Sequence, residues 1–352
     1  MSAKPHEPPA DLAAQIGACL KEVPPELTKL PGGLSPRQFF RFRSASGARA
    51  IAMWLPDDAP ERELARKLGR RLPFLEVRDL LESAGVRVPR LLGARPESGL
   101  LIVEDLGETL AEHCERLPAE RAASYARALR GLAAAQRALA ELPKDSIVVT
   151  RAFDAPLLRW ELEHFREWGV EALGVGLRPE ERDTFDRASS YLVERIASMP
   201  RGFVHRDFQS RNLLVPDERD IAWIDFQDAL LGPRAYDLVA LLRDSYQRFD
   251  EAFVSARLAE FASASGLSAS EARDLRLELD VITVQRKLKD AGRFVFFERS
   301  RGDSSYLRFF VPTLEMVQEA LLRLGGLPQL RGLSAIVGRQ IEIGRSRGML
   351  AP

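Results

Sequence analysis

Cysteine is nearly absent: Cys19 and Cys114 are the two thiols in 352 residues, and neither stands in a Cys-x-x-Cys pair or at ligand spacing from the four histidines. That argues against a disulfide framework and a structural zinc site. An excess of one charge is absent too, since 51 Lys and Arg face 51 Asp and Glu. No electrostatic reason is left to expect nucleic acid or an acidic membrane surface as a partner. No stretch approaches the roughly 18 uninterrupted apolar residues of a membrane span, and Met1 to His6 lack the apolar run of a secretory signal. A cytoplasmic protein, working as a monomer, is expected. Lysine is scarce, seven against 44 arginines, so a lysine missing from a particular segment can be read.

What is present is ordinary globular composition, 45% hydrophobic and 29% charged, in a chain long enough for two lobes. A short amphipathic helix is predicted around Leu12 to Cys19. Next come a Gly32-Gly33-Leu34-Ser35 loop, strands at Gln38–Arg43 and Arg49–Leu55 around the turn Ala45-Ser46-Gly47, a helical segment from Glu61 to Ser83, and strands near Val88–Gly93 and Gly99–Glu104. Beyond Leu106 helical periodicity dominates, at Leu117–Leu142, Pro156–Trp168, Glu180–Ser198 and Ala269–Phe297. It is interrupted by two short apolar strands, Leu213–Val215 and Ile221–Ile224. The expected fold is α+β and bilobal, with an antiparallel-sheet lobe over residues 1–104 and a mainly helical lobe over 105–352, joined by a short hinge at Glu104 to Gly107.

The densest polar constellation is His205-Arg206-Asp207-Phe208-Gln209-Ser210-Arg211-Asn212, in which His-Arg-Asp is followed after four residues by Asn. Ile224-Asp225-Phe226 lies thirteen positions beyond Asn212 and ends an apolar strand. Phosphoryl transfer calls for these residue types: one carboxylate to orient and deprotonate an attacking hydroxyl, and an amide with a second carboxylate to hold magnesium against nucleotide phosphates. Asp207 is therefore the candidate base, Asn212 and Asp225 the candidate magnesium ligands, and His205 with Arg206 the braces of the loop. Singly, an Asp after a strand is as readily a turn former and a loop Asn as readily satisfies its own backbone. The joint spacing carries the reading. Gly32, Gly33, Leu34 and Ser35 are candidates for the nucleotide phosphates, because a backbone without side chains can approach them and aim its amides; a plain turn has the same composition.

These residues resemble the aminoglycoside-phosphotransferase-like kinases, whose fold is similar to that of protein kinases. Within them the chain looks most like the bacterial anomeric kinases that phosphorylate N-acetylmuramate and N-acetylglucosamine at the C1 hydroxyl in peptidoglycan recycling. The resemblance rests on His205 to Asn212, Asp225 to Ala229 with Gly232-Pro233, Tyr236-Asp237-Leu238 and Leu241 to Asp244, Arg159 to Phe165, and Val284 to Lys289. It is weaker in the first lobe, where it rests on Gly32-Gly33, Ala84 to Pro89 and Glu104 to Gly107. It implies ATP and magnesium as cofactors, with ATP between the lobes near the hinge residues Glu104 and Leu106, and an amino sugar as acceptor. Another small-molecule hydroxyl kinase, acting on an aminoglycoside, choline or an amino acid, is the alternative within the family. A nucleotide-binding pseudokinase is the alternative outside catalysis.

One departure stands out: the third strand of such kinases carries a lysine for the nucleotide phosphates, yet no lysine occurs between Leu30 and Arg66, and Met53 holds the expected place. Arg41, Arg43 or Arg49 could substitute, or loop amides and magnesium could suffice. Candidate acceptor-site residues are Gln209, Arg211, Gln227, Asp228, Arg159 and Glu163, together with Arg286 and Lys289 from a late basic helix face suited to an acid-bearing sugar. Solvated ion pairs and a basic surface stripe would look the same. Asp237 is expected to brace the Asp207 loop, and Phe294, Phe296, Phe297, Phe309 and Phe310 to be core rather than a sugar platform.

Overall fold

The computed structural model describes residues 7–22, 26–31, 36–217 and 220–350. The chain forms two compact units: one contains residues 3–124 and 211–228, the other 125–210 and 229–352.

The first unit is built on an antiparallel sheet of five strands, β1 (Thr28–Lys29), β2 (Gln38–Arg43), β3 (Arg49–Trp54), β4 (Leu91–Arg95) and β5 (Leu100–Glu104), in the order β1-β2-β3-β5-β4. Alternation sets its faces. Phe40, Phe42, Ala50, Ala52, Trp54, Leu100 and Ile102 form one apolar face, which helix α1 (Leu12–Leu20) covers with Leu12 and Ile16. Phe39 and Met53 are opposite one another in register, so they belong to the other face. Between Glu61 and Ser83 there are two helices rather than one, α2 (Pro60–Leu68) and α3 (Pro73–Ser83). The break follows local chemistry: Gly69 adopts φ +61° as the cap of α2, and Pro73 occupies the first turn of α3, where its missing N–H costs nothing. Helix α4 (Leu110–Arg116) opens on a capping box formed by Thr109 and Glu112.

Helix α5 (Arg121–Ala138) begins in the first unit and continues into the second. The second unit is mainly helical, with α6 (Ala155–His164) running into a π-helical turn at Phe165–Val170, followed by α7 (Pro179–Ala197). Strand β6 (Arg201–Val204) comes next. The chain then returns to the first unit for the small hairpin of β7 (Leu213–Leu214) and β8 (Ala222–Trp223), which packs Leu214 and Ala222 against Leu106. Back in the second unit, β9 (Leu230–Pro233) pairs antiparallel with β6. Helices α8 (Tyr236–Leu242), α9 (Glu251–Ala264), α10 (Ala269–Arg301), α11 (Phe310–Arg323) and α12 (Leu333–Ser346) complete it. The long α10 is buried along much of its length, and a Cβ at Gly292 would lie 2.8 Å from Phe165 Cα. Glycine there lets α10 press against the backbone of the π turn, which fixes the helix that carries Arg286 and Lys289. Of the five phenylalanines expected in the core, Phe294, Phe297 and Phe310 are buried, whereas Phe296 and Phe309 are half-buried. No helix among the described residues is long and apolar enough to cross a membrane.

Candidate active site

Each unit contains one constellation. In the second, the chain leaves β6 through His205, Arg206 and Asp207, and Arg206 takes φ +80°. A left-handed backbone at a bulky residue costs about 1–3 kcal/mol and persists only where its surroundings fix it. Here both sides are pinned. Asp237, buried in the first turn of α8, accepts the amides of His205 at 2.8 Å and Arg206 at 3.0 Å. On the other side Arg286 Nη1 donates to the Arg206 carbonyl at 2.8 Å while its Nη2 lies 3.3 Å from Asp207 Oδ1. The Arg286 guanidinium sits 4.7 Å over the Tyr236 ring. Further along, Ser210 Oγ donates to Asp244 at 3.0 Å. His205 is buried with its ring edge-on to Phe208. The expected brace by Asp237 is therefore present, and Arg286 and Asp244 join it.

Asp207 is hemmed in by protein yet keeps 38% of its side chain accessible. Burial disfavours its charged form, but Arg286, then Lys289 and Arg206, outweigh that penalty and hold the carboxyl below its ordinary value. The group is thus in its proton-accepting state at neutral pH. Burial pushes Asp237 the other way, up to about 7, against the pull of the two amides and Arg286. The contrast yields a pH prediction. Because the folded Asp207 pKa is depressed, the base form persists as pH falls and the acid limb of kcat/KM lies below the usual carboxylate range. In Arg286→Met burial is left with less opposition, so that limb moves to higher pH. An unmoved limb in a folded variant would show that Arg286 does not set the charge of Asp207.

In the first unit, Asn212 and Asp225 are brought together by the β7–β8 hairpin: the Ile224 amide donates to the Asn212 carbonyl at 3.0 Å, and Asn212 Nδ2 lies 3.5 Å from Asp225 Oδ2. Asp225 adopts φ +62°, which Asp tolerates better than most residues. Its Oδ1 accepts Gln227 Nε2 at 3.1 Å and Arg37 Nη2 at 2.8 Å. The donor set fits magnesium. One carboxylate and one amide are hard oxygen donors, and that ion keeps several waters and takes few protein ligands beside phosphates. No group of three or more His, Cys, Asp or Glu that could cage a metal occurs among the described residues.

The remaining candidates divide clearly. Gly32, Gly33, Leu34 and Ser35 lie outside the described residues. Glu104 ends β5 with its carboxylate engaged by Arg87 at 2.8 Å and Arg90 at 3.2 Å, and Leu106 is buried against Leu214 and Ala222. Gln227 is buried, bridging Asp225 and Asp228. Gln209 is half-buried and Arg211 exposed. On α6, Arg159 is exposed and Glu163 pairs with Arg166 at 2.6 Å, whereas Glu161 is buried on Gln285 at 2.7 Å. Arg286 is 1% exposed and committed to the Asp207 loop, so its place is behind the Asp207 carboxylate. Lys289, 15% exposed at the side chain and paired with Asp290 at 2.8 Å, also lies within electrostatic reach of Asp207.

Met53 is buried on β3, as the sequence implies. The three arginines offered in place of a lysine are engaged elsewhere: Arg41 Nε at 2.8 Å and Arg49 Nε at 3.8 Å on Asp105, Arg43 on the Gly47 carbonyl at 3.1 Å. Sequence reasoning missed Arg37, the residue before β2, which is buried and reaches both Glu61 at 3.3 Å and Asp225 at 2.8 Å. No sequence signal marks a pairing across 188 positions.

Comparison with known proteins bears on the family and the fold. The N-acetylmuramate/N-acetylglucosamine kinase of Pseudomonas aeruginosa is 33% identical over 328 residues, 91% of each chain. The enzyme of the same name from Neisseria meningitidis serogroup B is 33% identical over 276 residues, 77% of this chain and 78% of that one. Among solved structures, the streptomycin–ATP–APH(2")-IIa ternary complex shares the fold with a TM-score of 0.56 at 14% identity, covering 92% of this chain and 98% of that one. The model of the phosphotransferase enzyme family, APH, matches residues 26–273. With a kinase-like α+β fold, a braced His-Arg-Asp loop and relatives that are kinases, the chain belongs to the APH phosphotransferase family and is an enzyme that phosphorylates a hydroxyl acceptor.

Proposed function

We propose that this enzyme transfers the γ-phosphoryl group of ATP to the C1 hydroxyl of N-acetylmuramate, N-acetylglucosamine or both, in peptidoglycan recycling. The observation that carries the chemistry is Asp207, held ionised by Arg286 and still accessible at the end of a loop pinned by Asp237. The sugar assignment is supported by the names of relatives 33% identical over as much as 91% of the chain. Asp207 takes the proton of the anomeric hydroxyl, the freed oxygen bonds to the γ-phosphorus, and the bond from that phosphorus to the β,γ-bridging oxygen breaks, its electron pair leaving with ADP. A hemiacetal hydroxyl is more acidic than an ordinary alcohol, so a carboxylate of low pKa is an adequate acceptor and positioning supplies much of the rate. Asn212 and Asp225 would hold magnesium, which when bound supplies charge to offset the phosphate oxygens.

Lys289 suits the carboxylate of N-acetylmuramate, lying close enough to Asp207 to act on its charge; Gln209 and Arg211 flank the base in sequence. Gln227 and Asp228, which bond one another, and Arg159 and Glu163 remain proposals for the sugar's other polar groups. The nucleotide is assigned to the loop at Gly32 to Ser35 and the segment at Glu104 and Leu106. Initial rates with N-acetylmuramate, N-acetylglucosamine, glucosamine and kanamycin, each with ATP and magnesium, test the acceptor class. Turnover of the two N-acetyl sugars above the amines is expected. Turnover of kanamycin alone would overturn the sugar and leave the chemistry standing.

A further inference from the structure

A polyphosphate approaching Asp225 meets an acidic neighbourhood in which the buried Arg37 stands. Arg37 is 8% exposed, with Nε 3.3 Å from Glu61 in the first turn of α2 and Nη2 2.8 Å from Asp225. Asp228 is the third carboxylate close enough to act on its charge. Three carboxylates around one guanidinium leave a surplus of negative charge that a divalent cation would balance. Without the guanidinium that surplus would repel a nucleotide's phosphates.

Arg37 immediately precedes β2, two positions before Phe39, whose face Met53 shares across the β2–β3 register. That is the face on which a β3 lysine at position 53 would project, and it is opposite the face closed by Leu12 and Ile16. A lysine ammonium is a point charge on a flexible stem, whereas a guanidinium is a rigid planar fork that can meet two carboxylates at once. The arginines first considered for the task, Arg41, Arg43 and Arg49, are engaged with Asp105 and the Gly47 carbonyl.

We propose that Arg37 is the phosphate-recognition cation of this enzyme: from the head of β2 it fixes Asp225 against Glu61 and supplies the positive charge that lets a nucleoside polyphosphate bind there. This rests on the nucleotide part of the function proposed above and is independent of the sugar. Burial opposes the guanidinium, but Asp225 and Glu61 more than compensate and hold its pKa above the ordinary value, so its charge is constant over any working pH.

The test measures binding without an acceptor. ATP, ADP and adenosine are titrated calorimetrically, with magnesium, into wild type, Arg37→Met and Arg37→Lys. Expected for Arg37→Met are roughly 10- to 100-fold weaker ATP and ADP, the scale of a lost charge-assisted interaction, with adenosine affinity within twofold. Arg37→Lys should recover part of the loss, keeping the charge and losing the two-carboxylate grip. Unchanged ATP affinity in a folded Arg37→Met would overturn the proposal. So would an equal loss for adenosine, which would mark Arg37 as structural. Should Arg37→Met fail to fold, Arg37→Lys carries the test: ATP weakened with adenosine unaffected supports the proposal, and no change in either overturns it. A wrong sugar assignment would leave all of these outcomes unaltered, and failure of wild type to bind ATP would refute the nucleotide reading itself.

Discussion

Replacing Asp207 with asparagine is expected to lower kcat by roughly 10³- to 10⁴-fold, at the upper end of what a positioned general base supplies. The substitution is nearly isosteric. The amide oxygen still accepts from Arg286, and the anchors of the loop through Asp237 and Ser210–Asp244 are untouched. Thermal stability should therefore stay within a few degrees and nucleotide affinity within a few-fold, while transfer fails for want of a proton acceptor. Calorimetric ATP binding beside single-turnover transfer checks this directly. Near wild-type turnover in cleanly folded Asp207→Asn would remove Asp207 from the chemistry.

The second large effect is expected at Asp225. Asn at this position keeps the shape but loses the charge that pairs with Arg37 and faces Asn212. Apparent magnesium affinity should fall by more than the roughly 10–100-fold that loss of an outer-shell partner costs, and kcat at fixed low magnesium should fall with it. Raising magnesium should restore part of the rate, which no rescue of a base could imitate. A magnesium titration of initial rates separates the cases: a wild-type profile in Asp225→Asn would contradict the ligand assignment. Asp225→Asn also removes an ion pair from the buried Arg37, so a modest loss of stability should accompany the kinetic one.

Much of this was legible where the chemistry is local. The β2–β3 hairpin follows from two strand-like runs around a Ser-Gly turn: the expected Gln38–Arg43 is matched, and the expected Arg49–Leu55 ends at Trp54. Helix α10 follows from its periodicity over Ala269–Phe297, and in the structure it opens on a capping box of Ser268 and Glu271. The His205–Asn212 spacing pointed to a braced polar loop, and the structure pins that segment through Asp237 and Arg286. What was not legible depends on tertiary closure. Continuous apolar periodicity hid the break between α2 and α3, although Gly69 and Pro73 stand there. The β6–β9 pair escaped because its pairing spans the intervening hairpin.

The charged residues teach the same lesson. Arg286 was legible as part of a basic helix face, but composition cannot distinguish a solvated arginine from one packed over Tyr236 behind a carboxylate. Arg41 and Arg49 looked suitable, and Arg37 went unnoticed, until their partner, Asp105, was located. Which guanidinium meets which carboxylate is a property of the folded sheet and of the distant hairpin that delivers Asp225.

The most direct measurement of the central claim is phosphorus NMR of the product formed from N-acetylmuramate or N-acetylglucosamine with ATP and magnesium, read together with the reducing-end reactivity of the sugar. Transfer to C1 predicts a phosphate coupled to the anomeric proton and a sugar that no longer reduces. A phosphate on a primary or ring hydroxyl, with the reducing end intact, would contradict it.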